Sequence, residues 1–413
     1  MCGGMSGKGC PHGEGGGRGL KHFLEGSIAV AEAVKLCRPG VISAYPITPQ
    51  THIVEKLADF VANGELNTEF LNVESEHSAA SVVLGSLAAG VRSYTASSSQ
   101  GLLLMSEVLY NIAGLRLPLV ITCANRAISA PLSIWNDQQD SEALRDAGLI
   151  QLYVESIQEA VDYHLYAFRL AEDPRVLLPV MVCMDGFVLT HAYEAVDIPQ
   201  QENVDAFLPE FKLQEKLDTK EPISMGVVAD ARFYMETRYA IQETMREAQI
   251  IMKEMKHEFE KVFEREIYVF FEPYCLEDAE KVIISRGSVA GTVKDVVDEM
   301  RKEGKKVGAL KLISYRPFPA EKLYEALKGV PEVAVLDRAI SLGGFGPMYT
   351  EFKALFQGKE KSPKVSGFIG GLGQRDITKD NIREIYEKLE GNEVSCHFLN
   401  LNQEYLMQAR RYT

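Results

Sequence analysis

The sequence predicts an α/β protein: a parallel-sheet domain followed by a second, smaller α/β domain. Three observations carry this. Short β-rich runs alternate with helical stretches from Gly19 to about Pro199, an uninterrupted charged helix runs from Glu236 to Glu264, and the alternation resumes from Asp278. Strands separated by helices imply crossover connections, and hence parallel strands covered on both faces. The expected organisation is a Gly-rich tail over 1–18, an α/β domain over 19–199 and a connector with the long helix over 200–277. The smaller domain then covers 278–395 and an extension covers 396–413.

In order, His22 to Leu36 reads as a helix with small residues on one face, and Val41-Ile42-Ser43-Ala44 as a short buried strand. The amphipathic helix His52 to Ala62 leads to the strand Phe70 to Val73. Ser78 to Ala89, rich in Ala, Val and Leu, predicts a helix buried on most sides. Further strands are expected at Arg92 to Ala96, Leu117 to Ala124, Leu149 to Val154 and Val176 to Met184, with helices at Gly101 to Ala113, Ser141 to Arg145 and Ile157 to Ala171. Asp197 to Ala229 is Pro- and charge-rich without sustained periodicity and reads as connector. The helix from Glu236 lacks regular heptads, so it bridges domains rather than forming a coiled coil. The second domain is expected to contain strands at Lys281 to Ile284, Val307 to Ser314, Val333 to Leu336 and Lys364 to Ile369. Its helices are expected at Ala290 to Glu303, Ala320 to Leu327, Met348 to Leu355 and Lys379 to Leu389.

The composition of the 413 residues, 46% hydrophobic and 25% charged, is that of a globular protein with room for two or three domains. A net charge of −14 with scattered Lys and Arg argues against a nucleic-acid surface or an anionic membrane. No apolar run is long enough to span a bilayer and the N-terminus lacks a signal-peptide core, so a cytoplasmic location is expected. The seven cysteines are dispersed, odd in number and without a C-x-x-C pair, which predicts reduced thiols and no resident iron-sulfur cluster. Cys2, Cys10 and His12 sit in a tail too glycine-rich to order itself around a metal.

Four segments are candidates for chemistry. Tyr45-Pro46-Ile47-Thr48-Pro49 follows a strand, and its prolines allow neither helix nor central strand, so Thr48 sits on a stiff strand-end loop. Such loops bind ligands in open α/β sheets, although Thr48 could equally cap the helix near His52. Glu74 and Glu76 stand where a strand gives way to a nearly uncharged helix, so one of them should be desolvated. Either the helix dipole or a ligand needing a tuned carboxylate accounts for them. Arg126 ends a buried strand, where a guanidinium needs an anionic ligand or an internal partner such as Asp137 or Asp140. Ala96-Ser-Ser-Ser-Gln-Gly101 opens a helix as an anion site or as a serine-rich capping turn. The Gly-rich turns Ser341 to Gly346 and Gly370 to Asp376 read as tight turns or subunit contacts.

Taken together, these segments resemble the α subunit of the 2-oxoacid:ferredoxin oxidoreductases, nearest the multi-subunit pyruvate branch. The resemblance covers about residues 20 to 395. It rests on Tyr45-Pro-Ile-Thr-Pro-Gln50, Val73-Glu-Ser-Glu-His-Ser-Ala79, Ser99-Gln-Gly-Leu102, Asn125-Arg-Ala127, Ile134-Trp-Asn-Asp-Gln-Gln-Asp140, Arg316-Pro-Phe-Pro319, Leu336-Asp-Arg338 and Gly371-Leu-Gly373, in that order. It implies that 19–199 is a thiamine-diphosphate-binding domain of pyrimidine type and that 278–395 is like the transketolase C-terminal domain. It further implies oxidative decarboxylation of pyruvate or a related 2-oxoacid with coenzyme A, electrons passing to ferredoxin. Glu76 matches the glutamate facing the cofactor's pyrimidine nitrogen, Thr48 and Arg126 match substrate contacts, and Tyr45, Pro46 and Ile47 fall on the cofactor-binding loop.

The chain contains no Gly-Asp-Gly segment, which this cofactor class uses for Mg²⁺ and the diphosphate, and Asp185-Gly186-Phe187 lacks the preceding glycine. The resemblance therefore places Mg²⁺, the diphosphate half and the iron-sulfur clusters in partner β, γ and δ-type subunits, with no metal held by this chain. Specificity for another 2-oxoacid (branched-chain, aromatic or 2-oxoglutarate) and a purely structural subunit are the alternative readings.

Overall fold

The computed structural model describes residues 21–409, so the glycine-rich tail with Cys2, Cys10 and His12 lies outside the described residues. The first half runs β1 (Lys21–Glu25), α1 (Gly26–Leu36), β2 (Val41–Ala44), α2 (Thr51–Ala62), β3 (Glu69–Asn72), α3 (Glu76–Ala88), β4 (Ser93–Ser97), α4 (Ser99–Leu104), α5 (Ser106–Gly114), β5 (Val120–Asn125), α6 (Gln139–Ala143), β6 (Ile150–Tyr153), α7 (Ile157–Ala171), β7 (Val180–Asp185) and β8 (Tyr193–Asp197). After α8 (Gln201–Phe207) and the long α9 (Tyr234–Phe263) come β9 (Phe271–Tyr274), β10 (Lys281–Ser285), α10 (Val289–Lys302), β11 (Val307–Leu312), β12 (Ser314–Arg316), α11 (Ala320–Leu327), β13 (Glu332–Asp337), α12 (Pro347–Phe356), β14 (Lys364–Ile369), α13 (Lys379–Lys388), β15 (His397–Phe398) and α14 (Gln403–Ala409).

These strands build a seven-stranded sheet, ordered β12-β6-β7-β5-β4-β2-β3, and a six-stranded sheet, ordered β15-β14-β13-β10-β11-β9. In the first, β2 to β7 are mutually parallel, as expected for crossover connections, and every strand therefore delivers its loop to the same edge. One face of this sheet packs against α1, α7 and α9 through Val30, Val34, Phe168, Met252 and Phe259. The other face packs through Val83, Leu87 and Ile112 into a core shared with Val282 and Leu310 of the second sheet and with Phe352 of α12.

Several boundaries differ from the sequence reading. Lys21–Glu25 is not the start of a helix but an antiparallel partner of β8, a strand that the sequence pattern does not announce. The helix begins at Gly26, where an added Cβ would stand 1.9 Å from the Leu189 carbonyl oxygen. The expected helix from Gly101 to Ala113 is two helices separated by Met105. The domain limits also interlock. β9, assigned to the connector, pairs antiparallel with β11, and β15, assigned to the extension, pairs with β14. β12, expected inside the second domain, crosses over to pair antiparallel with β6 at the edge of the first sheet.

The long helix α9 touches both α7 and α11. At 30 residues it extends roughly 45 Å, burying Ile241, Ala248, Ile251, Met252, Met255 and Phe259 against the first domain. Gln249 then accepts from Lys322 of α11 at 2.7 Å, so its other side reaches the second domain. Among the described residues no helix is long and apolar enough to cross a membrane.

Candidate active site

The loops after β2, β3, β4 and β5 leave the same edge of the first sheet, and those after β2, β4 and β5 are laced together by hydrogen bonds. Gln50 Nε2 donates to the Ala96 carbonyl at 2.7 Å, joining the β2 loop to the end of β4. Ser98 Oγ donates to Ala124 O at 2.7 Å and Ser99 Oγ to Ala127 O at 2.6 Å, joining β4 to β5. The serine-rich turn is thus a strap rather than a cap, and Ser98 makes no side-chain capping bond to α4.

Beneath the strap lies Asp140, fully buried, which accepts from the backbone N–H groups of Ser99 and Arg126 at 2.9 Å each and from Asn125 Nδ2 at 2.8 Å. Burial pushes its pKa up to about 6 against the pull of those donors. Asp140 therefore fixes the backbone that presents Arg126.

The Arg126 guanidinium itself meets no carboxylate within 4.0 Å among the described residues, so the internal salt bridge with Asp137 or Asp140 is absent. Its Nη1 donates to the Thr48 carbonyl and its Nε to the Ser133 carbonyl, both at 2.9 Å. Burial lowers its pKa, partly offset by the nearby Asp140 charge. Two carbonyls orient the fork without neutralising it, which leaves a positive charge available to a small anion.

Thr48 is exposed and does not cap α2, whose N-cap is Gln50 without a side-chain bond. Tyr45 and Pro46 are exposed on the same loop and Ile47 is half-buried. The structure joins Thr48 to Arg126 directly, while Glu76 makes no hydrogen bond to either.

Of the two glutamates, Glu74 is exposed and accepts from Ser78 Oγ at 2.6 Å, which together with its own backbone lowers its pKa. Glu76 is the desolvated one, 8% exposed at the first position of α3, behind the N-cap Ser75. Its carboxylate forms no hydrogen bond or ion pair among the described residues. It lies over Gly101, where an added Cβ would stand 2.4 Å from Glu76 Oε1 and 2.7 Å from Ser97 Oγ. Ser97 Oγ and Gln100 Nε2, both buried, also lack hydrogen-bond partners.

A buried carboxylate beside a partnerless hydroxyl and amide, with a glycine keeping the space open, fits a polar heteroaromatic group bearing both donors and acceptors. Sequence reasoning had missed the parts played by Gly101, Ser97 and Gln100. Their signal was a glycine in the first turn of a helix, a costly choice unless something must approach closely.

The second domain closes over this edge from the side. Asp185, at the end of β7, accepts from Arg338 Nη1 at 2.7 Å and from Ser288 N and Oγ at 2.8 and 2.5 Å. The Gly-rich turn at 370–376 reaches the first domain too, Gly373 N donating to Asp137 at 3.1 Å.

A family model described as pyruvate flavodoxin/ferredoxin oxidoreductase, thiamine-diphosphate-binding, matches residues 32–257, more than half of the chain. The chain belongs to the pyruvate:ferredoxin oxidoreductase family. A second model, pyruvate:ferredoxin oxidoreductase core domain II, matches residues 279–382. Among relatives, the pyruvate synthase subunit PorA of Methanothermobacter thermautotrophicus is 53% identical over 91% of this chain and 97% of its own length. The subunit of the same name from Pyrococcus abyssi is 47% identical over 94% of this chain and its own full length. The ketoisovalerate oxidoreductase subunit VorA of that organism is 42% identical, covering 90% and 94% respectively. In fold, the chain is similar to a 2-oxoglutarate:ferredoxin oxidoreductase from Magnetococcus marinus, with a TM-score of 0.67 at 21% identity. That match covers 90% of this chain and 66% of the longer neighbour. The oxidoreductase family thus spans both sheets, and its thiamine-diphosphate-binding part holds Thr48, Glu76 and Arg126.

Proposed function

We propose that the chain is the α subunit of a multi-subunit, thiamine-diphosphate-dependent 2-oxoacid oxidoreductase that decarboxylates pyruvate with coenzyme A and passes electrons to ferredoxin. The observation that carries this reading is the buried, partnerless Glu76 carboxylate over Gly101, set among the unpaired Ser97 and Gln100 groups. When bound, thiamine diphosphate supplies the nucleophilic carbon and electron sink for the decarboxylation.

The chain's own groups then divide the work. Glu76 would hydrogen-bond the pyrimidine nitrogen, a task for a buried carboxyl group with no internal partner to compete. Arg126, its charge unneutralised, and Thr48, exposed beside it, receive the 2-oxoacid's carboxylate and keto oxygen. Tyr45, Pro46 and Ile47 form the wall of the cofactor loop.

The diphosphate, Mg²⁺ and iron-sulfur clusters belong to β, γ and δ-type partners in this reading. The absent Gly-Asp-Gly segment supports that, as does Asp185, whose carboxylate is occupied by Arg338 and Ser288. A soluble cytoplasmic complex follows from the same scheme.

The test is to purify the native complex and assay a panel of 2-oxoacids with coenzyme A and a redox dye. Pyruvate ranking first supports the reading. A branched-chain acid ranking first moves the substrate to the class named by the VorA relative, and no turnover with any 2-oxoacid overturns the catalytic assignment.

A further inference from the structure

On the outer side of the loop carrying Thr48 lies a cluster that the proposed chemistry does not use. Glu25 ends β1, His52 stands in the first turn of α2, and His191 lies in the segment between β7 and β8. One ligand atom from each of the three lies within 4.8 Å of the others. The imidazole rings of His52 and His191 are 4.7 Å apart between centroids, and His52 Nδ1 is 2.7 Å from Glu25 Oε1. His52 and His191 line a cavity of about 200 Å³ together with Thr48, Pro49, Thr51 and Glu55.

We propose that Glu25, His52 and His191 form a binding site for a divalent cation of the zinc class. Two imidazoles and one carboxylate are the borderline nitrogen and oxygen donors that such a cation takes, and a tetrahedral ion needs only one more ligand. Glu55, three residues after His52 and so on the same face of α2, stands in the same cavity to provide it, directly or through water.

The surroundings are those of oriented ligands rather than of a chance surface pair. Tyr193 donates its hydroxyl to Glu25 Oε2 at 3.3 Å, and Thr190 Oγ1 lies 2.7 Å from His191 Nδ1, fixing that ring and leaving its other nitrogen facing away. The three ligands come from segments far apart in sequence that converge behind Thr48 and Pro49, both of which line the cavity. The cation therefore clamps the outer wall of the loop whose inner carbonyl is held by Arg126.

The full-length chain, stripped with chelator, is titrated with Zn²⁺ by calorimetry and with Co²⁺ as an optical probe. The expected result is one ion per chain, a visible Co²⁺ ligand-field spectrum and a rise in melting midpoint with Zn²⁺. The substitutions His52→Ala and His191→Ala combined weaken binding by at least about tenfold and abolish the rise. Because His52 is partly exposed, His52→Gln alone serves as a variant that folds and should show the same direction. Cys2→Ser, Cys10→Ser and His12→Ala together leave stoichiometry and affinity unchanged. Absence of Zn²⁺ binding at micromolar concentration, binding indifferent to the His52 and His191 changes, or binding lost with the tail residues would each overturn the proposal.

Discussion

Arg126 Nη1 donates to the carbonyl oxygen of Thr48 at 2.9 Å, so the cation and the hydroxyl proposed to meet the substrate are held as one unit. The Arg126 Nε bond to Ser133 O fixes the other side of the fork. Lysine, with a single point charge, cannot span both carbonyls. Arg126→Lys is expected to lower kcat/KM for the 2-oxoacid by at least about tenfold, or 1.4 kcal/mol of transition-state binding. Steady-state kinetics of the assembled complex check this; unchanged kcat/KM would remove Arg126 from the substrate site.

Glu76 offers a sharper separation of roles, because its carboxylate holds nothing in the folded chain. Glu76→Gln should lower turnover by at least about tenfold, the mild end of what a lost acid/base group costs. The melting midpoint should stay near wild type, since no internal bond is broken. Gly101→Ala should imitate the kinetic defect by driving a methyl into the space now 2.4 Å from Glu76 Oε1. A Glu76→Gln complex with full activity would transfer the role to another residue.

His164 sets an acid limit on stability. It is fully buried, with its ring nitrogens 2.6 Å from Thr122 Oγ1 and 2.6 Å from Ala160 O, and burial pushes its pKa down to about 4 from 6.5. Unfolded chain takes up the proton first as pH falls, so the stability contribution is complete above about 6.5 and is lost as pH drops through about 4. The full loss is on the order of 3 kcal/mol. His164→Gln should flatten this part of the profile, read as the difference in melting midpoint between the two proteins across that range. An identical acid slope in both would show that another group carries it.

The regular strand and helix spacing made the first sheet legible, because buried runs such as Val180–Asp185 and helices such as Ile157–Ala171 follow from local pattern alone. Prolines or a charge in apolar surroundings single out Thr48, Glu76 and Arg126 in the sequence, and the structure joins Thr48 to Arg126 and buries Glu76. What escaped was set by distant contacts. β12 has three residues and no pattern of its own, and it is a strand only because β6 offers an edge. His52 and His191 are separated by 139 residues, and only the fold brings them to Glu25. Gly101 has no local reason to stand in the first turn of α4, and only the fold lays Glu76 over it.

Asp185 and Arg338 tie the two sheets together in a place where charge cannot be shed. Both are nearly inaccessible, with Arg338 Nη1 2.7 Å from Asp185 Oδ2. Burial by itself would raise the Asp185 pKa, but Arg338 and the Ser288 donors outweigh it and hold it below the usual carboxylate range. Its contribution is therefore present above the unfolded value and lost as pH falls through the lower folded one. Arg338→Met strands the carboxylate and should cost about 3–5 kcal/mol, seen as a fall in the urea midpoint. With the guanidinium gone, burial raises the Asp185 pKa, so the deficit should be larger near pH 8 than near pH 5, where protonation relieves the stranded charge. The combination Arg338→Met with Asp185→Asn removes both charges and should recover a substantial part of the loss. A double variant as unstable as Arg338→Met, with no pH dependence to its deficit, would mean that the packing of Arg338, rather than its charge, joins the two domains.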